Sequence, residues 1–122
     1  MEWNFTGNEP VYLQIMEHFR SAVLSGKYPA GSRIPPVRDL AAQARVNPNT
    51  MQRALYALEQ EQLLVANGPL GRYVTQDEAV LQALRQREIT KTVHHCAELQ
   101  DHLGLTLADA AAIWENEAHK EV

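Results

Sequence analysis

The chain has 122 residues and a mass of 13.7 kDa, which suits one domain or one small domain with an appendage. Its 45% hydrophobic and 21% charged residues are typical of a folded protein with a core, which excludes wholesale disorder. Eleven Lys and Arg residues against fifteen Asp and Glu residues give a net charge of −4. Taken over the whole chain, this acidity argues against nucleic acid as a ligand, because nucleic-acid binders are usually basic.

The cysteine content and the length of the apolar runs indicate where in the cell the protein is expected. The single cysteine, Cys96, can form no internal disulfide and cannot supply a cysteine-based zinc site alone. The amino terminus has no basic run followed by an apolar stretch, and no apolar run approaches the roughly 20 residues that span a bilayer. We therefore expect a cytoplasmic protein with no signal peptide and no membrane partner.

Charge is unevenly distributed along the chain. Residues 1–75 carry seven basic and six acidic side chains, whereas residues 76–122 carry four basic and nine acidic ones. Between Gly26 and Leu58, five basic residues stand against one acidic residue. This pattern predicts two parts, a domain at 1–75 that contains the basic segment and an acidic tail at 76–122.

Apolar residues at helical spacing predict three helices in the first part. The first runs from Pro10 to Ser25, the second from Val37 to Arg45, and the third ends near Gln60. Asn47 is expected to cap the third helix, with Pro48 in its first turn. Two short helices joined by so tight a turn are typical of a helix-turn-helix. The buried stripe of the third helix is predicted to be Met51, Ala54, Leu55 and Leu58.

Two short strands are predicted next. The runs at 63–65 and 72–74 favour β-structure, and the turn-rich segment 66–71 lies between them, so a hairpin is expected. A helix-turn-helix followed by a hairpin is a winged helix. Gly68, Gly71 and Arg72 at the tip of the wing would allow close approach of the backbone and supply one positive charge.

The tail is predicted to hold two helices. A long one runs from Gln76 to Leu103, and Thr106 with Asp109 is expected to cap a shorter one after Gly104. Their apolar residues exceed what one small domain can cover, which predicts a second copy of the chain as partner. The fold class is therefore mostly α with a small β-hairpin, a winged helix-turn-helix followed by a two-helix dimerisation tail. The predicted interface residues are Leu84, Val93, Cys96, Leu103 and Trp114.

Three segments, at 10–15, 26–41 and 46–54, resemble in order the amino-terminal domain of the GntR family of bacterial transcription regulators. They read PVYLQI, GKYPAGSRIPPVRDLA and VNPNTMQRA, and the match extends to Val74. The Asn-Pro-Asn-Thr turn and the brief tail resemble the short-tailed YtrA-like subfamily. The resemblance implies a winged helix that binds DNA and regulates transcription.

Three departures qualify this resemblance. Gln62 stands where the family usually has glycine, so we expect the third helix to end without a left-handed cap. The wing at 68–74 is one residue longer than usual. Pro48 replaces an arginine found in relatives with larger effector domains, and one DNA contact of those relatives is therefore absent.

The start of the third helix carries the predicted DNA contacts. Gln52 can pair bidentately with adenine, and Arg53 can pair with guanine or with a phosphate. Asn47 lies at the cap, where helix N–H groups favour a phosphate, and the family resemblance adds Arg38 from the second helix and Gly71 with Arg72 from the wing. The predicted DNA-binding set is Arg38, Asn47, Asn49, Thr50, Gln52, Arg53, Gly71 and Arg72.

Each of these residues also has a purely structural interpretation. Arg38 can be a solvated surface charge, and Thr50 can serve only as a capping residue. Arg53 can be the intramolecular partner of Glu59 or Asp39. The motif is therefore a hypothesis that the residue types alone leave open.

A second cluster lies in the long helix. His94, Glu98 and His102 are four residues apart and share one face, a spacing that can hold a divalent metal together with ligands from a second chain. The alternative is a polar helix face with exposed imidazoles, with Cys96 as a small core residue. The sequence shows no residues that would orient such ligands, so we predict no metal and no other cofactor.

The favoured function is a homodimeric, sequence-specific DNA-binding repressor acting on an inverted repeat. One alternative is a regulator whose tail senses a metal or small ligand, although the sequence identifies no effector. Another is a winged helix used for protein interaction without DNA. An enzyme is not expected, because no nucleophile with a base, no phosphate-binding glycine loop and no paired carboxylates can be identified.

Overall fold

The computed structural model describes residues 3–119. These residues form five α-helices and one two-stranded antiparallel sheet, so the predicted mostly helical fold with a small hairpin is confirmed. The elements are α1 (Val11–Leu24), α2 (Val37–Ala44), α3 (Pro48–Gln60), β1 (Leu64–Ala66), β2 (Arg72–Val74), α4 (Glu78–Leu103) and α5 (Leu107–His119).

The chain divides into two compact units, Met1–Arg85 and Gln86–Val122. The first unit extends past the predicted boundary at 75/76, because Leu84 on the first turns of α4 belongs to its core and Leu81 packs against that core. Residues 120–122 of the predicted tail lie outside the described residues. In the described part of the chain, no helix has both the length and the apolar character that crossing a membrane requires.

The core of the first unit is built from the apolar faces of α1, α2 and α3. Ile15 and Phe19 of α1 are fully buried, as is Leu40 of α2. Burial of such faces supplies most of the stability of short helices, because isolated helices of this length are marginal in water. The predicted stripe of α3 is confirmed, since Met51, Ala54, Leu55 and Leu58 are all fully buried.

The turn between α2 and α3 is short because both of its ends are capped. α2 ends at Arg45, which adopts the left-handed conformation with φ of 57°, and the N–H of Val46 donates to the carbonyl of Ala41. The side chain of Asn47 accepts the N–H of Asn49 at 2.8 Å, and Pro48 occupies the first helical position. The predicted cap of α3 is confirmed.

The expectation for the end of α3 is wrong. Gln62 adopts the left-handed conformation, with φ of 68°, although it is not glycine. Its N–H donates to the carbonyl of Glu59 at 2.9 Å, and the N–H of Leu63 donates to the carbonyl of Leu58 at 3.1 Å. This pair of bonds is a Schellman cap. Burial of Leu63 fixes the turn, and packing therefore imposes on Gln62 a conformation that costs about 1 kcal/mol.

The predicted hairpin is confirmed, with β1 antiparallel to β2 and Val65 opposite Tyr73. A third segment, not predicted from the sequence, adds to its edge. Arg33 forms a β-bridge with Tyr73, and the N–H of Ile34 donates to the carbonyl of Arg72 at 3.0 Å. The connection between α1 and α2 therefore ties the wing to the helix-turn-helix.

The second unit contains the rest of α4 and all of α5. Gly104 ends α4 with φ of 68°. The predicted capping box of α5 is confirmed, because the N–H of Asp109 donates to the Thr106 hydroxyl and the N–H of Thr106 donates to the Asp109 carboxylate, both at 3.1 Å. Hydrogen bonds from Thr106 lower the pKa of Asp109. An ionised carboxylate at this position also interacts favourably with the helix dipole.

Candidate nucleic-acid interface

The start of α3 presents a polar surface opposite its buried stripe. Asn49, Gln52 and Arg53 are exposed, and Thr50 is half-buried. Tyr56 lies one turn beyond Gln52 and is 56% exposed. It was missed as a candidate contact, although its spacing of four residues from Gln52 places both on one side of the helix.

The side chain of Asn47 has a structural role. Its Oδ1 atom is engaged by the N–H of Asn49, which leaves the amide N–H₂ group as its donor toward a ligand. Its contact with DNA stays a prediction.

The seven Lys and Arg residues between positions 3 and 75 fall into two groups. Arg20 donates to Glu61 and Glu17, and Arg72 donates to Glu59. The other five are exposed and make no ion pair with a carboxylate of residues 3–119, and they are the five basic residues of the segment from Gly26 to Leu58. The positive charge available to a phosphate therefore lies in and around the helix-turn-helix. These five are Lys27, Arg33, Arg38, Arg45 and Arg53.

Arg53 contacts an aromatic ring. Its guanidinium carbon lies over the ring of Tyr12, 3.8 Å from the centroid. The suggested ion pair with Glu59 is not formed, because Glu59 is occupied by Arg72. A shallow notch of about 380 Å³ separates the start of α1 from the start of α3. It is lined by Pro10, Val11, Tyr12, Asn49, Thr50 and Arg53.

The wing differs in detail from the prediction. Gly71 has φ of 98°, and a Cβ atom there would lie 3.2 Å from Nε of Arg33, so both the backbone and its neighbour favour glycine. Arg72 is 17% exposed, and its Nε atom donates to Glu59 at 2.5 Å. Arg33 is thus the exposed cation beside Gly71. Residue spacing does not predict that Arg33 lies beside the wing, because its bridge to Tyr73 joins residues far apart in the sequence.

The predicted interface residues separate into two classes. Leu84 is only 1% exposed within its own chain because it packs into the core of the first unit, so it is corrected from an interface residue to a core residue. Val93, Leu103 and Trp114 are 61–67% exposed, and Cys96 is exposed rather than buried in a core. An apolar hollow of about 380 Å³ in the second unit is lined mainly by Cys96, Leu99, Leu103, Leu105, Ile113 and Trp114.

Two of the three residues of the predicted cluster on α4, His94 and Glu98, are in contact. Nε2 of His94 lies 3.1 Å from Oε1 of Glu98, and both side chains are well exposed. Within residues 3–119, no group of three or more His, Cys, Asp or Glu side chains is arranged to hold a metal ion. His102 is exposed on the last turn of α4.

Comparison with known proteins gives a family match that lies within the first unit. The model of the family described as bacterial regulatory proteins, gntR family, matches residues 11–74, more than half of the chain. YhcF of Bacillus subtilis, an uncharacterised HTH-type transcriptional regulator, is 26% identical over 106 residues, 87% of this chain and 88% of that protein. The HTH-type transcriptional repressor YtrA of the same species is 32% identical over 68 residues, 56% of this chain and 52% of YtrA.

Two solved structures are informative. A GntR family transcriptional regulator from Listeria monocytogenes is similar with a TM-score of 0.82 and 27% identity, over 92% of this chain and 98% of that one. The DNA-binding domain of AraR, in complex with operator ORX1, is similar with a TM-score of 0.57 and 28% identity, over 62% of this chain and 96% of that one. Family and relatives are transcription regulators, not enzymes. The match over residues 11–74, on a winged helix with this cap, turn and hairpin, shows that the chain belongs to the GntR family as a transcription regulator with a DNA-binding domain.

Proposed function

We propose that the protein is a homodimeric, sequence-specific repressor that binds an inverted-repeat operator, with α3 in the major groove. The observation that carries this proposal is the coincidence of two features. The exposed face of α3 is polar, and the segment from Gly26 to Leu58 carries five exposed cations that make no ion pair with a carboxylate of the described residues. Exposed cations bind the phosphates of DNA, and exposed polar side chains on a recognition helix form hydrogen bonds with the edges of the bases.

Sequence would be read from α3. Gln52 is exposed, and its amide matches the donor and acceptor of adenine in the major groove. Arg38, exposed at the second position of α2, and Arg33, beside Gly71 on the wing, would contact the flanking backbone. The operator complex of the AraR domain, a similar winged helix, supports the docking of this fold on duplex DNA.

Dimerisation would use the second unit. Val93, Leu103 and Trp114 are large apolar side chains that lie exposed to solvent within one chain. Burying them against a second copy would remove this apolar surface from water, which favours association. A two-fold dimer presents two copies of α3, which accounts for an inverted repeat with half-sites about one helical turn, or a small multiple of it, apart.

Repression is supported by YtrA of Bacillus subtilis, which is named a repressor and is 32% identical where the two chains match. A protein bound across both half-sites would cover the DNA that a polymerase needs. Because a DNA-binding repressor acts on the chromosome, we expect the protein to be located in the cytoplasm.

A mobility-shift assay with genomic fragments, repeated at several salt concentrations, tests the function. We expect the chain to retain a small set of fragments in preference to bulk DNA, with binding that weakens as salt rises. Arg38→Ala should reduce the retention, whereas Arg87→Ala, an exposed cation of the second unit, should leave it unchanged. Retention of no fragment at low salt would refute DNA binding and favour a protein-interaction role.

A further inference from the structure

The stacked pair of Tyr12 and Arg53 joins two elements that the proposed function otherwise treats separately. Tyr12 is half-buried in the first turn of α1, and Arg53 is exposed on the second turn of α3. Their distance of 3.8 Å, from guanidinium carbon to ring centroid, is well within the range of a cation–π contact. The contact therefore restricts a long side chain that would otherwise sample many rotamers.

The side of α3 on which Arg53 lies determines which part of the DNA its guanidinium can contact. Asn49, Thr50 and Arg53 share the side of α3 that lines the notch against α1. Gln52 is one helical step of about 100° away from Arg53, on the side continued by Tyr56. A helix in a major groove has base edges beneath the middle of its exposed face and sugar-phosphate strands along its flanks. The contact with Tyr12 draws the Arg53 guanidinium toward α1, to the flank of α3 on which the notch lies.

The surroundings of Arg53 suit an anion. Its guanidinium makes no ion pair with a carboxylate of the described residues, so its charge is not neutralised within the chain. The hydroxyl of Thr50 and the amide of Asn49 line the same notch and can donate hydrogen bonds. A guanidinium stacked on a ring keeps its N–H edge open, and that edge fits two phosphate oxygens.

We infer that Tyr12 is a positioning residue that fixes Arg53 as a phosphate contact on the α1 side of α3, leaving base recognition to Gln52 and its neighbours. This inference rests on the proposed function, since it assumes that α3 enters the groove. It assigns Arg53 to one of the two roles that its residue type allows, and it gives Tyr12 a part in DNA binding without contact with DNA.

The test uses the full chain, a selected genomic fragment and a scrambled duplex of the same length. Arg53→Gln should weaken binding to both duplexes by the same factor, and it should reduce the slope of log affinity against log salt by about 0.9 for each protomer bound. Tyr12→Leu should change both quantities in the same direction, whereas Tyr12→Phe, which keeps the ring, should stay within about twofold of the unchanged protein. Arg87→Gln is the matched control and should leave the slope unchanged.

The double variant separates positioning from a general structural effect. If Tyr12 acts through Arg53, Tyr12→Leu combined with Arg53→Gln should bind no more weakly than Arg53→Gln alone. Melting temperatures identify any variant that fails to fold. If Tyr12→Leu does not fold, the salt series of Arg53→Gln tests the phosphate contact without any change at Tyr12.

Three results would overturn the inference. They are a loss of preference at one base pair in Arg53→Gln with an unchanged salt slope, unaltered binding by a folded Tyr12→Leu variant, and an additive loss in the double variant. Failure of the proposed function looks different, because the unchanged chain would then bind neither duplex in a salt-dependent way.

Discussion

Arg72 of β2 donates from Nε to the carboxylate of Glu59 near the end of α3, at 2.5 Å, with both side chains less than one fifth exposed. The ion pair links the wing to the helix proposed to read DNA. Together with the bridge between Arg33 and Tyr73, it fixes the wing against the helix-turn-helix from two sides. The wing is therefore expected to approach DNA as a rigid part of the first unit.

Glu59→Gln should destabilise the first unit. The substitution keeps the size of the side chain but leaves the charge of Arg72 without compensation in a mostly buried setting, so we expect the free energy of unfolding to fall by about 1–2 kcal/mol. Urea denaturation monitored by circular dichroism measures this. Glu9→Gln, an exposed carboxylate with no ion pair among the described residues, is the control and should change the value little. An equal effect of the two variants would show that the ion pair is not stabilising.

Gln62→Gly should stabilise the protein. Gln62 has φ of 68°, and glycine adopts this conformation without steric cost, whereas a residue with Cβ pays about 1 kcal/mol. Glycine also loses more entropy on folding, so we expect a net gain of about 0.5 kcal/mol. Gln60→Gly, inside the last turn of α3, should instead destabilise by about 0.5–1 kcal/mol. Destabilisation by both variants would contradict the Schellman cap.

Stability should decrease as pH falls below neutrality because of His18. Its ring stacks on Trp3, with centroids 4.0 Å apart, and burial together with the charge of Lys27 lowers the pKa of His18 from its ordinary value of 6.5. The unfolded chain then binds a proton more readily than the folded one. The stability that this group contributes is complete above pH 6.5 and is lost as pH falls through the lower, folded value.

Melting temperatures at several pH values between about 7.5 and 5 measure this dependence. His18→Phe keeps a ring against Trp3 and should show a shallower decline than the unchanged chain. His95→Gln, an exposed histidine of α4, should retain the full decline. An identical decline in His18→Phe would assign the dependence to other groups.

Trp114→Glu should dissociate the proposed dimer. Trp114 is 66% exposed and lines the apolar hollow of the second unit, so a charge there would be buried without a partner on dimerisation. We expect the dimer dissociation constant to rise about tenfold or more, measured by sedimentation equilibrium. Ala112→Glu places the same charge on the other side of α5 and should leave the constant nearly unchanged. A monomeric unchanged chain at micromolar concentration would contradict the proposed assembly.

Local signals in the sequence were sufficient for most of the fold. The cap at Asn47, the buried stripe of α3 and the box of Thr106 with Asp109 all depend on residues no more than seven positions apart, and the sequence predicts all three. The left-handed Gln62 is not predicted, because packing of Leu63 overrides the intrinsic preference of glutamine for negative φ. Long-range packing cannot be read from residue spacing.

The same limit applies to the candidate site. Residue type and spacing allow Glu59 as a partner of Arg53, but the hairpin brings Arg72 to Glu59, and Arg53 contacts Tyr12 instead. Periodicity placed Leu84 on an apolar stripe but gave no means to tell whether its own chain or a second copy covers it, and its own chain does. The polar residues of α3 could be predicted because helical spacing alone places them opposite the core.

The central claim is that this winged helix distinguishes one DNA sequence from another. The most direct test is a fluorescence-anisotropy titration of the full chain against a selected genomic fragment and its scrambled counterpart, at the same fixed salt concentration. We predict tighter binding to the selected fragment by about a thousandfold or more, the usual difference between specific and non-specific sites. Equal affinities for the two duplexes would contradict it.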